Sequence, residues 1–155
     1  MTALNRLCVS NDPAEFQALL DTIPYARFLG MRVERDGGDI VTVLPFQDML
    51  VGNPLLPALH GGVTGAFLEV TATMEILREI CCERLPKPVD ISIDYLRSGR
   101  PETTRARAVV SKHGRRVVNV RAEAWQDDPG RPIAAMHGHF LLQWPEEPQP
   151  AGAPS

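Results

Sequence analysis

The stretch LHGGVTGAFLEV, residues 59–70, contains residue types that can act on a carbonyl compound. Gly61 and Gly62 follow His60 directly, and Glu69 lies seven residues further on in an otherwise apolar run. Backbone amides at a helix start lack internal partners, and glycine lets a substrate oxygen approach them as in an oxyanion hole. A carboxylate can serve as a general base or a nucleophile. A tight loop-to-helix turn capped by histidine is compatible with the same pattern.

Glu69 shares its side of the predicted helix with the smallest side chains of the segment. These are Gly62, Gly65, Ala66, Ala72 and Thr73. Such a face could form a groove for a ligand. The alternative is close packing of the helix against a sheet, with Glu69 paired to an arginine, because a buried carboxylate without a partner is costly.

The spacing between Gly61 and Glu69 constrains how they could cooperate. Eight residues correspond to about 12 Å along a helix axis. A base and an oxyanion donor must both reach the same reacting group, so one helix cannot supply both. Two antiparallel copies related by a two-fold axis can, which predicts a dimer with shared sites if the protein is a hydrolase.

The elements that carry these residues follow from the hydrophobic pattern. A long helix is predicted over residues 61–82, apolar on nearly every side, which requires enclosure. Before it, the sequence predicts a helix from Pro13 to Pro24, a hairpin turning at residues 36–39, and a loop over residues 47–62. Four strand candidates follow, at residues 89–96, 103–112, 115–125 and 131–144. The expected class is α+β, with an antiparallel sheet curling around the helix.

The composition is that of an ordinary globular chain. Its 155 residues fit one domain, no apolar run approaches the length of a membrane span, and the first residues show no secretory signal. The expected setting is the cytoplasm, with no membrane partner. The net charge of −3 gives no indication of a nucleic-acid partner.

Positive charge is concentrated in residues 97–121, which contain eight basic residues and one acidic residue. A basic segment on an acidic protein suggests a small anionic ligand. The alternative is a solvated hairpin whose arginines pair with carboxylates elsewhere.

Four segments together resemble the hotdog-fold acyl-CoA thioesterases, in the branch that contains the phenylacetate-pathway and 4-hydroxybenzoyl-CoA enzymes. They are NPLLPALHGGVTGAFLE, DISIDYLRSGRP, VVSKHGRRVVNVRAEAW and AAMHGHFLL. The resemblance divides the chain into an N-terminal helical segment (1–24), a hotdog domain (25–144) and a Pro-rich tail (145–155) that is expected to be disordered.

The resemblance implies roles for individual residues. The Gly61 amide would polarise the thioester carbonyl, and Glu69 would be base or nucleophile. His60 and Gly62 complete the family's His-Gly-Gly segment, and Asn53 is the candidate for an asparagine that positions the substrate. Basic residues would bind the phosphates of coenzyme A, the candidates being Arg97, Arg100, Lys112, Arg115 and Arg116.

The resemblance also implies an assembly and a set of small molecules. Dimers would join edge to edge through the strand at residues 89–96, and often pair again into tetramers. Coenzyme A enters as part of the substrate, with no separate cofactor and no metal.

Rival functions make different demands on the sequence. A serine hydrolase of the Gly-x-Ser-x-Gly type is not indicated, since that motif is absent. Cys81 and Cys82, beside Ile80, favour packing over nucleophilic attack. His137 and His139 could share a strand face as metal ligands, but no third ligand is evident. A hotdog dehydratase using His60 and Glu69, or a non-catalytic acyl-CoA-binding regulator, stays open.

Overall fold

The long apolar helix and the strands that follow it pack together in the computed structural model, which describes residues 11–144. The helices of this range are α1 (Pro13–Leu20), α2 (Pro24–Phe28) and α3 (Gly61–Ile80). The strands are β1 (Arg32–Asp36), β2 (Asp39–Leu44), β3 (Val51–Asn53), β4 (Ala58–Leu59), β5 (Lys87–Tyr95), β6 (Thr104–His113), β7 (Val117–Trp125) and β8 (Ala134–Leu141). The predicted tail at residues 145–155 lies outside the described range.

Six of these strands form one antiparallel sheet in the order β1-β2-β6-β7-β8-β5. Helix α3 packs across this sheet, and Phe67 and Leu68 are fully buried there. Complete burial of such side chains contributes about 1.5–3 kcal/mol each. The predicted α+β class, with a large antiparallel sheet and one long helix, is confirmed.

The ends of α3 follow from local chemistry. His60 is the N-cap, in extended conformation, and Cys81 ends the helix in the left-handed region with φ of 61°. A left-handed residue after the last turn is a common helix terminator. The helix is therefore two residues shorter than the predicted range of 61–82.

Two local expectations differ from the structure. Pro24 follows α1 as expected, but it also begins α2, a position where its missing N–H costs nothing. The range 47–62, predicted as a loop, contains a 3₁₀ turn at Asp48–Leu50 and the short antiparallel pair β3–β4. The prolines of this range favour a loop, so the sequence does not predict the strand pair. The Asn53 side chain closes the turn between the two strands.

Strand β5 is an edge of the large sheet, and within residues 11–144 it pairs only with β8. Ile91 and Ile93 pack against the core beside α3. Val89 and Tyr95, on the same face, are 67% and 58% exposed. The edge strand thus lies beside the N-terminal half of α3 and leaves one side of its backbone open.

None of the helices within residues 11–144 is long and apolar enough to span a membrane.

Candidate active site

His60 holds the N-terminus of α3 through its ring and its backbone. Its Nδ1 accepts a hydrogen bond from the Gly62 N–H at 2.9 Å, and its own N–H donates to the Leu50 carbonyl at 2.8 Å. Because Nδ1 is the acceptor, the ring proton of the neutral imidazole lies on Nε2. His60 is therefore a helix cap, and the Gly62 amide serves this cap.

The Gly61 amide is different from its neighbour. No acceptor for the Gly61 N–H occurs among the described residues, whereas the Gly62 amide donates to His60 Nδ1 and the amides of Val63 and Thr64 donate to the His60 carbonyl. An unpaired donor at a helix N-terminus attracts a carbonyl or an anion. Of the two glycines, Gly61 has the amide available for a ligand.

A cleft of about 390 Å³ opens at this end of α3. Its walls include Gly61, Thr64, Tyr95 and Arg97. The Tyr95 hydroxyl donates to the Gly61 carbonyl at 2.7 Å. A thioester carbonyl entering this cleft would meet the first turn of the helix.

Glu69 lies two turns further along α3, with its side chain half-buried. Burial alone raises the pKa of its carboxyl above the ordinary value. Neither an ion pair nor a hydrogen bond to this carboxylate occurs within residues 11–144, so the expected alternative of an arginine partner is not found there. A raised pKa makes the carboxylate a stronger base.

The groove predicted beside Glu69 is partly occupied by the chain itself. A Cβ on Gly65 would come within 2.8 Å of Ile93 Cδ1, and one on Gly61 within 3.2 Å of the Tyr95 ring. The small residues therefore allow α3 to approach β5 closely at its first turns. Gly61 and Glu69 remain about 12 Å apart along the helix axis, as the spacing requires.

Asn53 lies in the turn between β3 and β4. Its side-chain oxygen accepts hydrogen bonds from the amides of Leu55 at 3.0 Å and Leu56 at 3.3 Å. It pairs with Ala58, two residues before His60. The carbonyl oxygen of its side chain thus stabilises the turn that precedes the helix.

A family model described as the thioesterase superfamily matches residues 56–133, which include Gly61, Glu69 and the edge strand. The chain belongs to the thioesterase superfamily. The match covers half of its sequence. The protein is a hydrolase that acts on thioester bonds.

The same conclusion follows from a curated relative of this thioesterase. The medium/long-chain acyl-CoA thioesterase YigI of Escherichia coli K12 is 30% identical over an alignment of 120 residues, and the match covers 68% of this chain and 77% of the relative. The general resemblance to acyl-CoA thioesterases is thereby confirmed, while the phenylacetate and 4-hydroxybenzoyl-CoA branch stays a prediction.

Two solved structures share the fold. A Chromobacterium violaceum protein is 38% identical, with a TM-score of 0.67, and the match covers 89% of this chain and 96% of that one. A Bacillus halodurans protein crystallised with CoA is 21% identical, with a TM-score of 0.69, over 88% of this chain and 97% of that one.

The basic candidates of the thioesterase fall into two groups at opposite ends of the sheet. Arg97 and Arg100 follow β5 at the end where Gly61 lies. The other three residues lie at or near the turn between β6 and β7. Strands of nine or ten residues separate these ends by about 30 Å.

The two groups also differ in the hydrogen bonds and ion pairs that their side chains form. Arg97 donates to the Pro132 carbonyl at 2.7 Å, and Arg100 pairs with Asp127 and, at 3.3 Å, with Glu102. The second group has no acidic partner within residues 11–144. It consists of Lys112, Arg115 and Arg116, all exposed.

Other candidate centres of the thioesterase lack the expected geometry. His139 pairs with Asp90 at 3.4 Å, and no group of three potential ligands for a metal occurs among the described residues. Burial raises the pKa of the Cys82 thiol, which disfavours the reactive thiolate. A cleft of about 580 Å³ near Arg78 contains neither Gly61 nor Glu69.

Tyr95 is the residue of this site that the sequence did not reveal. The alternating pattern of residues 89–96 assigns it only to one face of a strand. A contact between residues 34 positions apart leaves no local pattern. The available signal was its place at the end of an edge strand, where an aromatic side chain with a hydroxyl is half exposed.

Proposed function

We propose that this thioesterase hydrolyses acyl-CoA, with an aryl or medium-chain acyl group, to the free acid and coenzyme A. The observation that carries the proposal is the presence, on one helix, of an amide and a half-buried carboxylate that both lack a hydrogen-bonding partner within residues 11–144. Gly61 would donate to the thioester oxygen, where negative charge develops as the carbonyl is attacked.

Glu69 would supply the second function in one of two ways. As a general base it would take a proton from water, whose oxygen attacks the carbonyl carbon while the C–S bond breaks. As a nucleophile it would attack the carbon itself, release coenzyme A and form an anhydride that water then hydrolyses. Both routes require the ionised carboxylate and consume one water molecule, and neither needs a metal or a separate cofactor.

The separation of about 12 Å between the two groups supports a shared site. We place Gly61 of one subunit opposite Glu69 of another in an antiparallel homodimer. The open edge of β5 offers backbone donors and acceptors for such pairing, beside the first turns of α3, where Gly61 and Gly65 lie against this strand. A further pairing into a tetramer belongs to the same proposal.

The two-fold arrangement also gives the two basic groups a common purpose. Reversing one subunit brings its turn between β6 and β7 to the end of the assembly where the other subunit's Gly61 lies. Arg97 and the partner's turn could then bind the phosphates of coenzyme A. Arg100 is a weaker candidate, since Asp127 and Glu102 already balance its charge.

The choice of acyl group rests on the relatives. YigI acts on medium and long acyl chains according to its name, which favours the medium-chain member of the proposed pair. The structure crystallised with CoA supports coenzyme A as the carrier. The proposed compartment is the cytoplasm.

The test is release of free thiol from a panel of aliphatic and aryl acyl-CoAs. We expect hydrolysis of at least one medium-chain or aryl substrate, and a loss of about 10²–10⁴ in kcat for Glu69→Gln. Glu79→Gln, an exposed change on the same helix, is the matched control and should keep wild-type turnover. Binding of acyl-CoA without thiol release would indicate a regulator instead. Conversion of a 3-hydroxyacyl thioester to its enoyl product would indicate a dehydratase.

A further inference from the structure

The peptide that joins Gly61 to Gly62 is held at both of its polar atoms. Its N–H donates to His60 Nδ1 at 2.9 Å, and its carbonyl accepts from the Tyr95 hydroxyl at 2.7 Å. On the other side of Gly61, the backbone of His60 is fixed by its bond to Leu50 and by contact with Gly52, where a Cβ would meet His60 Cα at 2.7 Å. The free amide of Gly61 therefore lies between two anchored units.

Consecutive glycines at a helix start need such anchors. Glycine accepts a wide range of backbone angles, and the first amides of a helix have no internal hydrogen bond to restrain them. An oxyanion donor works only when its direction is set before the reaction. Tyr95 can restrain Gly61 from outside the helix because its own backbone pairs with Ala134 in the sheet.

The contacts of the Tyr95 ring extend over one helical turn. A Cβ at Gly61 would meet the ring at 3.2 Å, and one at Gly65 would meet the hydroxyl at 3.7 Å. The hydroxyl end of the tyrosine thus lies beside the two glycines, and its hydroxyl donates to the carbonyl of the first. It also lines the cleft of about 390 Å³ in which a thioester would reach Gly61.

We propose that Tyr95 is a positioning residue of the thioesterase site: its hydrogen bond to the Gly61 carbonyl sets the direction of the Gly61 amide toward the thioester oxygen. The inference rests on the proposed function, in which that amide is the oxyanion donor. Tyr95 acts through Gly61 and takes no proton itself. Its loss therefore affects the step in which charge develops on oxygen.

The first experiment compares Tyr95→Phe with Tyr25→Phe, the same change at the chain's other tyrosine. Tyr25 is half exposed and stacks on Phe28, with ring centroids 6.0 Å apart. We expect Tyr95→Phe to lower kcat about tenfold, the value of one lost hydrogen bond, with little change in KM. Thermal unfolding of both variants should stay close to wild type.

A pair of inert ligands gives a second measurement that a general structural defect would not reproduce. An S-(2-oxoalkyl)-CoA keeps a carbonyl oxygen for the Gly61 amide, while the S-alkyl-CoA of equal length lacks it. Tyr95→Phe should weaken binding of the ketone several-fold and leave binding of the plain thioether unchanged. The ¹⁵N resonance of the Gly61 amide should shift in this variant and not in Tyr25→Phe.

The outcomes separate this inference from the function it rests on. If the wild type hydrolyses acyl-CoA and Tyr95→Phe has the same kcat, the proposed role of Tyr95 is overturned and the thioesterase proposal stands. Equal loss of both inert ligands would also overturn it, since that result indicates a general binding defect. An inactive wild type, with no acyl-CoA hydrolysed across the panel, would remove the proposed function and this inference together.

Discussion

The Gly62 amide donates to His60 Nδ1 at 2.9 Å, so the cap of α3 engages the second glycine of the pair and not the first. Gly61 and Gly62 are adjacent residues of the same type, but of the two only Gly61 keeps an amide for a ligand. This difference makes the oxyanion proposal testable at a single N–H.

Gly61→Pro removes that N–H, and Gly61→Ala keeps it. Proline is well tolerated as the first residue of a helix, and His60, with ψ of 129°, has the extended conformation that a residue before proline prefers. Both variants place a Cβ near Tyr95, so they share that contact, and proline adds the rest of its ring. We expect kcat to fall about 10²–10³-fold for proline and much less for alanine. Equal losses of kcat in the two variants would show that the added side-chain atoms, and not the missing N–H, lower the activity.

The acid limb of the pH–rate profile should report Glu69. Burial raises the pKa of its carboxyl above 4.5, and both proposed routes use the ionised form. Turnover should therefore decline, as pH falls, at a higher pH than an ordinary glutamate would give. The measurement is kcat/KM against pH with a substrate that does not titrate in this range. A midpoint at the ordinary value would assign the limb to another group.

The same raised pKa has the opposite consequence for stability. Protonation of Glu69 is favoured more in the folded than in the unfolded chain. The stability that the protonated carboxyl adds, relative to the ionised one, is therefore fully present below the pKa of the unfolded chain and is lost as pH rises through the pKa of the folded chain. Glu69→Gln should be more stable than wild type at pH 7 and of similar stability at pH 4. Urea unfolding at both pH values checks this, and a variant less stable at pH 7 would contradict it.

Mixing two inactive variants should restore activity if sites are shared. A heterodimer of Glu69→Gln and Gly61→Pro subunits has one site with both intact groups and one with neither. An equal mixture at full exchange should regain about a quarter of wild-type turnover, because half of the dimers are mixed. Exchange is verified with differently tagged subunits. Complete exchange without recovered activity would show that each subunit works alone.

The exposed turn between β6 and β7 should contribute to affinity for coenzyme A. Replacing Arg115 and Arg116 by glutamine is expected to raise KM for acyl-CoA about two- to five-fold at low salt, with a smaller effect at high salt. Arg100→Gln is the control, since acidic neighbours already pair with it. A short thioester without the nucleotide should show no change. An unaffected KM at both salt concentrations would make the turn a solvated surface only.

The sequence was sufficient for the main elements because their patterns are local. Alternation along residues 89–96 predicted β5, and the all-round apolar character of residues 61–82 predicted a helix packed on a sheet. The roles of Gly61 and Gly62 could not be separated, because their difference depends on one ring nitrogen of His60. Contacts between distant residues were also hidden: Gly65 was predicted to line a groove, but Ile93 occupies that space.

Asn53 shows the same limit in a loop. The resemblance suggests that it positions the substrate, which stays a prediction, and its side-chain oxygen closes the turn of residues 53–56. An asparagine can form such a turn from its own sequence neighbours, so the pattern alone does not separate the two uses.

The start of β5 limits the length of another strand that can pair with its open edge. A bulge lies between Pro88 and Asp90, and Pro88 has no N–H to offer. Regular pairing is thus confined to the stretch from Asp90 to Tyr95, a length of about 20 Å at 3.3 Å per residue. An edge this short can accept one strand in one register but gives little support to repeated addition of chains. A short, irregular edge also limits unspecific pairing with the exposed strands of other chains.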